Sequence, residues 1–387
     1  MGPFIHLLSL NIDRIVGKLQ KMTPGINIFY GPEIWSLQHA GGISRYFSEL
    51  IPRIKTGDNR VYAFSTPNQN VFLERIPREL LIQVSTFNSS SLLEFNKLEK
   101  LEPTSRSIYH STYYGKVNYS HLKKNGYKII TTVYDLISEK FPDKKKLFIP
   151  KVNLKRKAII HADHIICISN STKSDLENIY KVDSEKISVV HLGVTTVEKS
   201  SRIRNDKPII EKFLLFVGKR DGYKNCLTLL TAFGESKFLK ENFKLALFGG
   251  EKFSNKEMDL IEKYDLLDRI YLPQNDDKTL ENLYLTATAL VYPSLYEGFG
   301  LPVIEAMSFG CPVFAGNTSS IPEIGGDAVF YFNPYTWEDI KHVLEKTLAS
   351  TDLLSSKSLI GYSRAAQFSW DKTAIQTLKI YNHLIND

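Results

Sequence analysis

Along most of the chain, short unbroken apolar runs alternate with longer stretches in which apolar residues recur at helical spacing. Runs of the first kind fit strands buried on both faces and those of the second fit covering helices, so the alternation predicts parallel sheets. Asn27–Tyr30 opens the series, and Ile43, Tyr46, Phe47, Leu50 and Ile54 follow at helical spacing. Further strands are predicted at Arg60–Phe64, Ser107–His110, Lys128–Val133, His164–Ile168 and Ile187–His191. From Thr195 to Lys207 the chain is polar and loses periodicity, which predicts a linker. A second series runs through Phe213–Val217, Lys244–Phe248, Arg269–Leu272, Ala289–Tyr292, Pro312–Ala315 and Ala328–Phe332. The expected architecture is α/β, with two doubly wound Rossmann-like domains over 1–205 (linker at about 195–207) and 206–370 and a last helix over 371–387.

A length of 387 residues agrees with two cores. No apolar run approaches the roughly 18 residues that span a bilayer. The first twenty residues carry Asp13, Arg14 and Lys18 without a cleavage pattern, so a cytoplasmic location is expected. Cys167, Cys226 and Cys311 each lie in or beside an apolar segment, and the odd count argues against a disulfide framework.

Charge changes this picture by separating the halves. The total of +7 divides into +12 for residues 1–205 and −5 for 206–387. Basic residues are densest from Lys144 to Lys157, interleaved with Leu147, Phe148 and Ile149. Such a stretch suits peripheral contact with an anionic membrane, and equally a solvated helix face; nucleic acid is not expected as a partner.

Candidate chemistry concentrates in Glu297–Glu305, EGFGLPVIE, which follows the apolar run Ala287–Tyr292 that Pro293 and Ser294 end. Pro302 suits a helix's first turn, so the block reads as strand, glycine loop and helix start. Gly298 and Gly300 admit close approach of backbone N–H groups, and the helix dipole adds about half a positive charge, which together make a phosphate site. Carboxylates on either side of a phosphate suit hydroxyls, and a nucleotide-diphosphate sugar has hydroxyls in both places.

Two glutamates separated by seven residues within PSLYEGFGLPVIEAMSFGCPV resemble the signature of retaining glycosyltransferases of family 4, which have the GT-B fold. The resemblance implies two Rossmann-like domains facing a central cleft, with the last helix crossing back to the first domain. It implies that Glu297 contacts the donor sugar, that Glu305 holds the ribose, and that the amides of Phe299, Gly300 and Leu301 cradle sugar and phosphate. Gly218, Lys219, Arg220 and Lys224, in VGKRDGYKN, resemble the family's diphosphate-binding turn, with Arg220 and Lys224 expected as its cations and Lys219 the alternative to Arg220. Gly41 and Gly42, in AGGISRY, are similar to the loop that meets the donor from the opposite wall. His110 and Asp135 are the catalytic candidates of the first domain, while Tyr134 stands where relatives commonly have His.

No metal site is expected, because His161 and His164 lack a third ligand and no Asp-x-Asp triplet of the metal-dependent kind occurs. No cofactor is expected beyond the donor itself, a GDP- or UDP-linked sugar. The two glutamates share one loop and do not face each other across a bond as in a hydrolase, which favours transfer. The resemblance implies retaining transfer of a hexose such as mannose to a saccharide acceptor, lipid-linked in some relatives. GGISRYF, VGKRDGYKN and PSLYEGFGLPVIEAM look most like mannosyl- or rhamnosyltransferases of bacterial surface polysaccharide, the O-antigen type. A nucleotide-sugar epimerase of the same architecture and a non-catalytic glycan-binding relative remain alternatives.

Overall fold

The computed structural model describes residues 25–195 and 212–387 except 69, 86, 88–91, 93–105, 143–148 and 251. Seven parallel strands build the first sheet: β1 (Asn27–Tyr30), β2 (Arg60–Ser65), β3 (Leu81–Gln83), β4 (Ser107–Ser111), β5 (Tyr127–Val133), β6 (His164–Cys167) and β7 (Ile187–Val189). They lie in the order β3-β2-β1-β4-β5-β6-β7. Six parallel strands build the second: β8 (Phe213–Val217), β9 (Lys244–Phe248), β10 (Ile270–Tyr271), β11 (Ala289–Tyr292), β12 (Val313–Gly316) and β13 (Val329–Phe332), in the order β10-β9-β8-β11-β12-β13.

The central strands are what the apolar runs require. Every residue of β4, β8 and β11 is buried, because helices cover both faces. Only β3 is absent from the sequence reading. Cys167, Cys226 and Cys311 are buried and unbridged.

Strand order reverses between β1 and β4 in one sheet and between β8 and β11 in the other. Loops leaving the carboxyl ends of such strands diverge and leave a crevice, which is where open α/β sheets bind ligands. The two crevices face each other. Gly42, at the start of the helix Gly42–Ile54, lies so close to Leu301 that a Cβ on it would stand 2.8 Å from Leu301 Cδ1.

The last helix, Trp370–Asn386, returns to the first domain. Its Asp371 pairs with Arg53 at 2.9 Å, and its Tyr381 hydroxyl lies 3.0 Å from that of Tyr30. The expected linker positions 196–207 and basic positions 144–148 lie outside the described residues. No helix among the described residues is long and apolar enough to cross a membrane.

Candidate functional site

A cavity of about 230 Å³ opens between the facing crevices. The first domain lines it with Gly42, Tyr46, Tyr134 and Asp135, the second with Tyr223, Lys224, Glu297 and the loop Gly298–Pro302. That volume falls below the roughly 300–1,000 Å³ of pockets that enclose a drug-sized ligand.

The loop after β11 is held by its own domain. Ser319 Oγ accepts from the Glu297 amide at 2.8 Å and Ser320 Oγ donates to the Glu297 carbonyl at 3.0 Å. Gly300, at φ 97°, caps the helix Leu301–Ser308, a left-handed geometry that favours glycine. Pro302 sits in that helix's first turn, as the sequence predicts. Glu297 takes a bond from Lys224 Nζ at 2.7 Å, and the same ammonium donates to the Tyr292 hydroxyl at 2.6 Å. Gly218 follows β8 at φ 138°, a backbone geometry that favours glycine, and lies against the Lys224 stem. One glutamate and one lysine are thus brought together at the switch point.

Arg220 goes elsewhere. Its Nε meets Glu257 at 2.6 Å and its two other nitrogens donate to the carbonyls of Gly249 (2.7 Å) and Lys252 (2.9 Å). Glu257 closes a capping box with Ser254, so the ion pair anchors the start of the helix Asn255–Lys263. The diphosphate role expected of Arg220 is corrected by this placement, since its guanidinium is held by Glu257 and two carbonyls; neither Arg220 nor its exposed neighbour Lys219 lines the cavity. Arg220→Ala is accordingly expected to destabilise the fold by about 3–5 kcal/mol, because it strands a buried carboxylate. Thermal denaturation checks this; an unchanged melting temperature would count against it.

His110 is also redirected. Its Nδ1 lies 2.5 Å from the Tyr381 hydroxyl and its Nε2 2.8 Å from Thr132 Oγ1. Burial lowers its pKa to about 3, so it stays neutral and serves the joint with the last helix, outside the cavity lining. Asp135 does line the cavity. Burial is the main influence on its carboxyl and raises its pKa, while Lys155 opposes. Tyr134 donates to the Thr112 carbonyl at 2.8 Å and forms part of the cavity wall.

The domains touch through backbone. A Cβ on Gly298 would lie 1.9 Å from the Tyr134 carbonyl oxygen, and the Gly298 carbonyl accepts from Ser169 Oγ at 2.7 Å. Glu323 of the second domain accepts from the amides of Asn170 (2.9 Å) and Ser171 (3.3 Å), at the start of the helix Asn170–Tyr180, and bonds His191 at 2.6 Å. Burial works to raise the Glu323 pKa, but these bonds prevail and hold it low.

Glu305 bridges the domains. Arg45 Nη1 lies 2.6 Å from its Oε1, and the Tyr284 hydroxyl donates to Oε2 at 3.2 Å. Arg45 has no assigned role in the sequence reading. It stands three positions after Gly42 on the same helical face, which is the signal that points it at the cleft. Gly41 caps that helix in extended backbone. Phe299, which lines the cavity, packs its ring beside those of His191 and Phe368. Among the described residues no cluster suited to holding a metal ion occurs.

Comparison with known proteins gives this geometry a context. Residues 40–198 match the family model described as Glycosyltransferase Family 4, and residues 197–364 match Glycosyl transferases group 1. An O-antigen chain mannosyltransferase B of Escherichia coli is 25% identical over 89% of this chain and 96% of its own. An O-antigen chain mannosyltransferase RfbU of Salmonella typhimurium is 30% identical over 52% of this chain and 56% of its own. The solved sucrose-phosphate synthase of Thermosynechococcus elongatus superposes with a TM-score of 0.73 over 93% of this chain and 99% of its own, at 20% identity, a likeness of fold.

Proposed function

The chain is a glycosyltransferase of the GT-B fold, like those of family 4, and from that premise we propose that it moves a hexose, mannose or a close relative, from a nucleotide-diphosphate sugar to a saccharide hydroxyl with retention of configuration. The Lys224–Glu297 pair at the second sheet's switch point, facing Asp135 across the cavity, carries the reading. Glu297 accepts hydroxyls of the donor sugar and Glu305 those of the ribose. Lys224, with Lys219 in place of Arg220, meets the diphosphate as its charge grows, helped by the amides of Phe299, Gly300 and Leu301 at a helix start. A metal ion is not required in this scheme.

As the bond from sugar to phosphate breaks, the acceptor hydroxyl enters on the same face and the departing phosphate takes its proton. Asp135, held in the opposite wall, orients the reacting hydroxyl or a hydroxyl of the donor sugar. A closed cleft excludes water from the cationic sugar, which favours transfer over hydrolysis.

The relatives named as O-antigen mannosyltransferases favour a growing surface polysaccharide as acceptor. A lipid-linked form of it, reached from the cytoplasmic face, is part of our proposal. Peripheral contact with anionic membrane belongs to the same proposal. Of the described basic stretch, Arg156 and Lys157 are exposed, whereas Lys155 is buried against Glu139 at 2.9 Å.

A panel of GDP- and UDP-sugars with saccharide acceptors, with and without chelator and anionic vesicles, tests the scheme. The expected outcome is one donor consumed only with acceptor, an α-linked product from an α-linked donor, and no loss to chelator. Epimerised donor without acceptor would establish the epimerase reading, and nucleotide binding without turnover a non-catalytic one.

A further inference from the structure

Arg45 reaches Glu305 across the interdomain cleft from one turn inside the helix Gly42–Ile54. Glu305 lies in the helix Leu301–Ser308 of the other domain, just behind the glycine loop. Among the described residues it pairs with no other cation. A carboxylate has about four acceptor positions. Arg45 takes one on Oε1 and Tyr284 one on Oε2, so each oxygen keeps acceptor capacity for a vicinal diol.

We propose that Arg45 is a positioning residue for the donor, holding Glu305 ionised and oriented so that the ribose-binding carboxylate is complete only when the first domain is seated against it. The inference rests on the reading that Glu305 receives the ribose hydroxyls. Among the described residues, two other groups act on this carboxylate, both from the helix Asp277–Thr286: Tyr284, which donates a bond, and Asp277, whose charge opposes ionisation. Burial is the largest influence and raises the Glu305 pKa; Arg45 is the first of those that oppose it. With Arg45 gone, burial and Asp277 act together and the carboxyl protonates at higher pH. A protonated carboxyl keeps less acceptor capacity and adds a donor, which suits a diol less well.

Arg45 thereby links two events. Opening the cleft withdraws the guanidinium and weakens the ribose site. By reciprocity, a bound ribose favours the closed arrangement by the same factor.

Binding of GDP-mannose and UDP-glucose, measured without acceptor from about pH 5 to about pH 8, tests this, because neither diphosphate ester titrates in that range. Wild-type affinity is expected to fall as pH drops through the Glu305 titration. R45Q is expected to bind about tenfold more weakly at neutral pH, with the midpoint raised by about one pH unit or more. R45K keeps the charge and should keep the wild-type midpoint. Asp135 is common to all variants and drops out of the comparison. Weakening by one factor at every pH in R45Q would reduce Arg45 to a strut between domains and overturn the inference. So would an R45K midpoint displaced upward, a result that decides the matter even where R45Q does not fold. E305Q tests the underlying assignment separately: wild-type binding there would remove the ribose reading itself.

Discussion

Lys224→Ala is expected to lower turnover about a hundredfold or more, with the fold intact, because the cation acts where phosphate charge grows. Lys224 stands against Glu297 at 2.7 Å and Tyr292 at 2.6 Å, with little side-chain exposure. Few water molecules reach it there, so the loss of its charge cannot be made good by solvent. The same change leaves Glu297 without its counter-ion beside the sugar position, which compounds the effect on turnover. Steady-state kinetics with the identified donor provide the measurement, and a loss below about tenfold would exclude Lys224 from the charged step. Lys219→Ala, at the exposed position next door, should weaken donor binding with a smaller effect on turnover.

Gly298→Ala is expected to abolish measurable transfer while each domain remains folded. The added Cβ would stand 1.9 Å from the Tyr134 carbonyl oxygen, 2.9 Å from its carbon and 3.0 Å from Asp135 Cβ. Two of these atoms are backbone of the other domain, so a rotamer change cannot relieve the contact. The domains must separate, which moves Asp135 away from Glu297 and admits water. Small-angle scattering should show a larger radius of gyration, and the second domain should still bind nucleotide. A variant that stays as compact and as active as wild type would mean that the loop yields instead of the domains.

The parallel sheets are legible because a strand such as Phe213–Val217, buried on both faces, has to be apolar throughout. Leu81–Gln83 escapes notice because a three-residue edge strand needs neither a long apolar run nor alternation. The turn from strand to helix is legible because Gly300 and Pro302 mark it locally, whereas Ser319 and Ser320, which hold the loop from more than twenty residues away, leave no sign in its spacing. Arg220 and His110 mislead because distant partners decide their orientation. Glu257, in another helix, captures the guanidinium, and Tyr381, in the returning helix, captures the imidazole. Spacing within VGKRDGYKN cannot reveal either capture. The pairing of Arg45 with Glu305 crosses the whole cleft and is invisible until both domains are in place.

Glu323 carries a consequence for how this protein can vary. Its carboxylate joins the start of the helix Asn170–Tyr180 and His191 to the second domain, outside the Glu297–Glu305 block. On the proposed reading, in which the donor site is shared between the domains, molecules with this seam formed present the finished site, and the observed affinity for donor is the intrinsic affinity scaled by their fraction. Substitutions along the seam therefore retune donor affinity, up or down, in a chain whose sugar-reading residues are unchanged. Two homologues with identical pockets can differ in working substrate concentration for this reason alone.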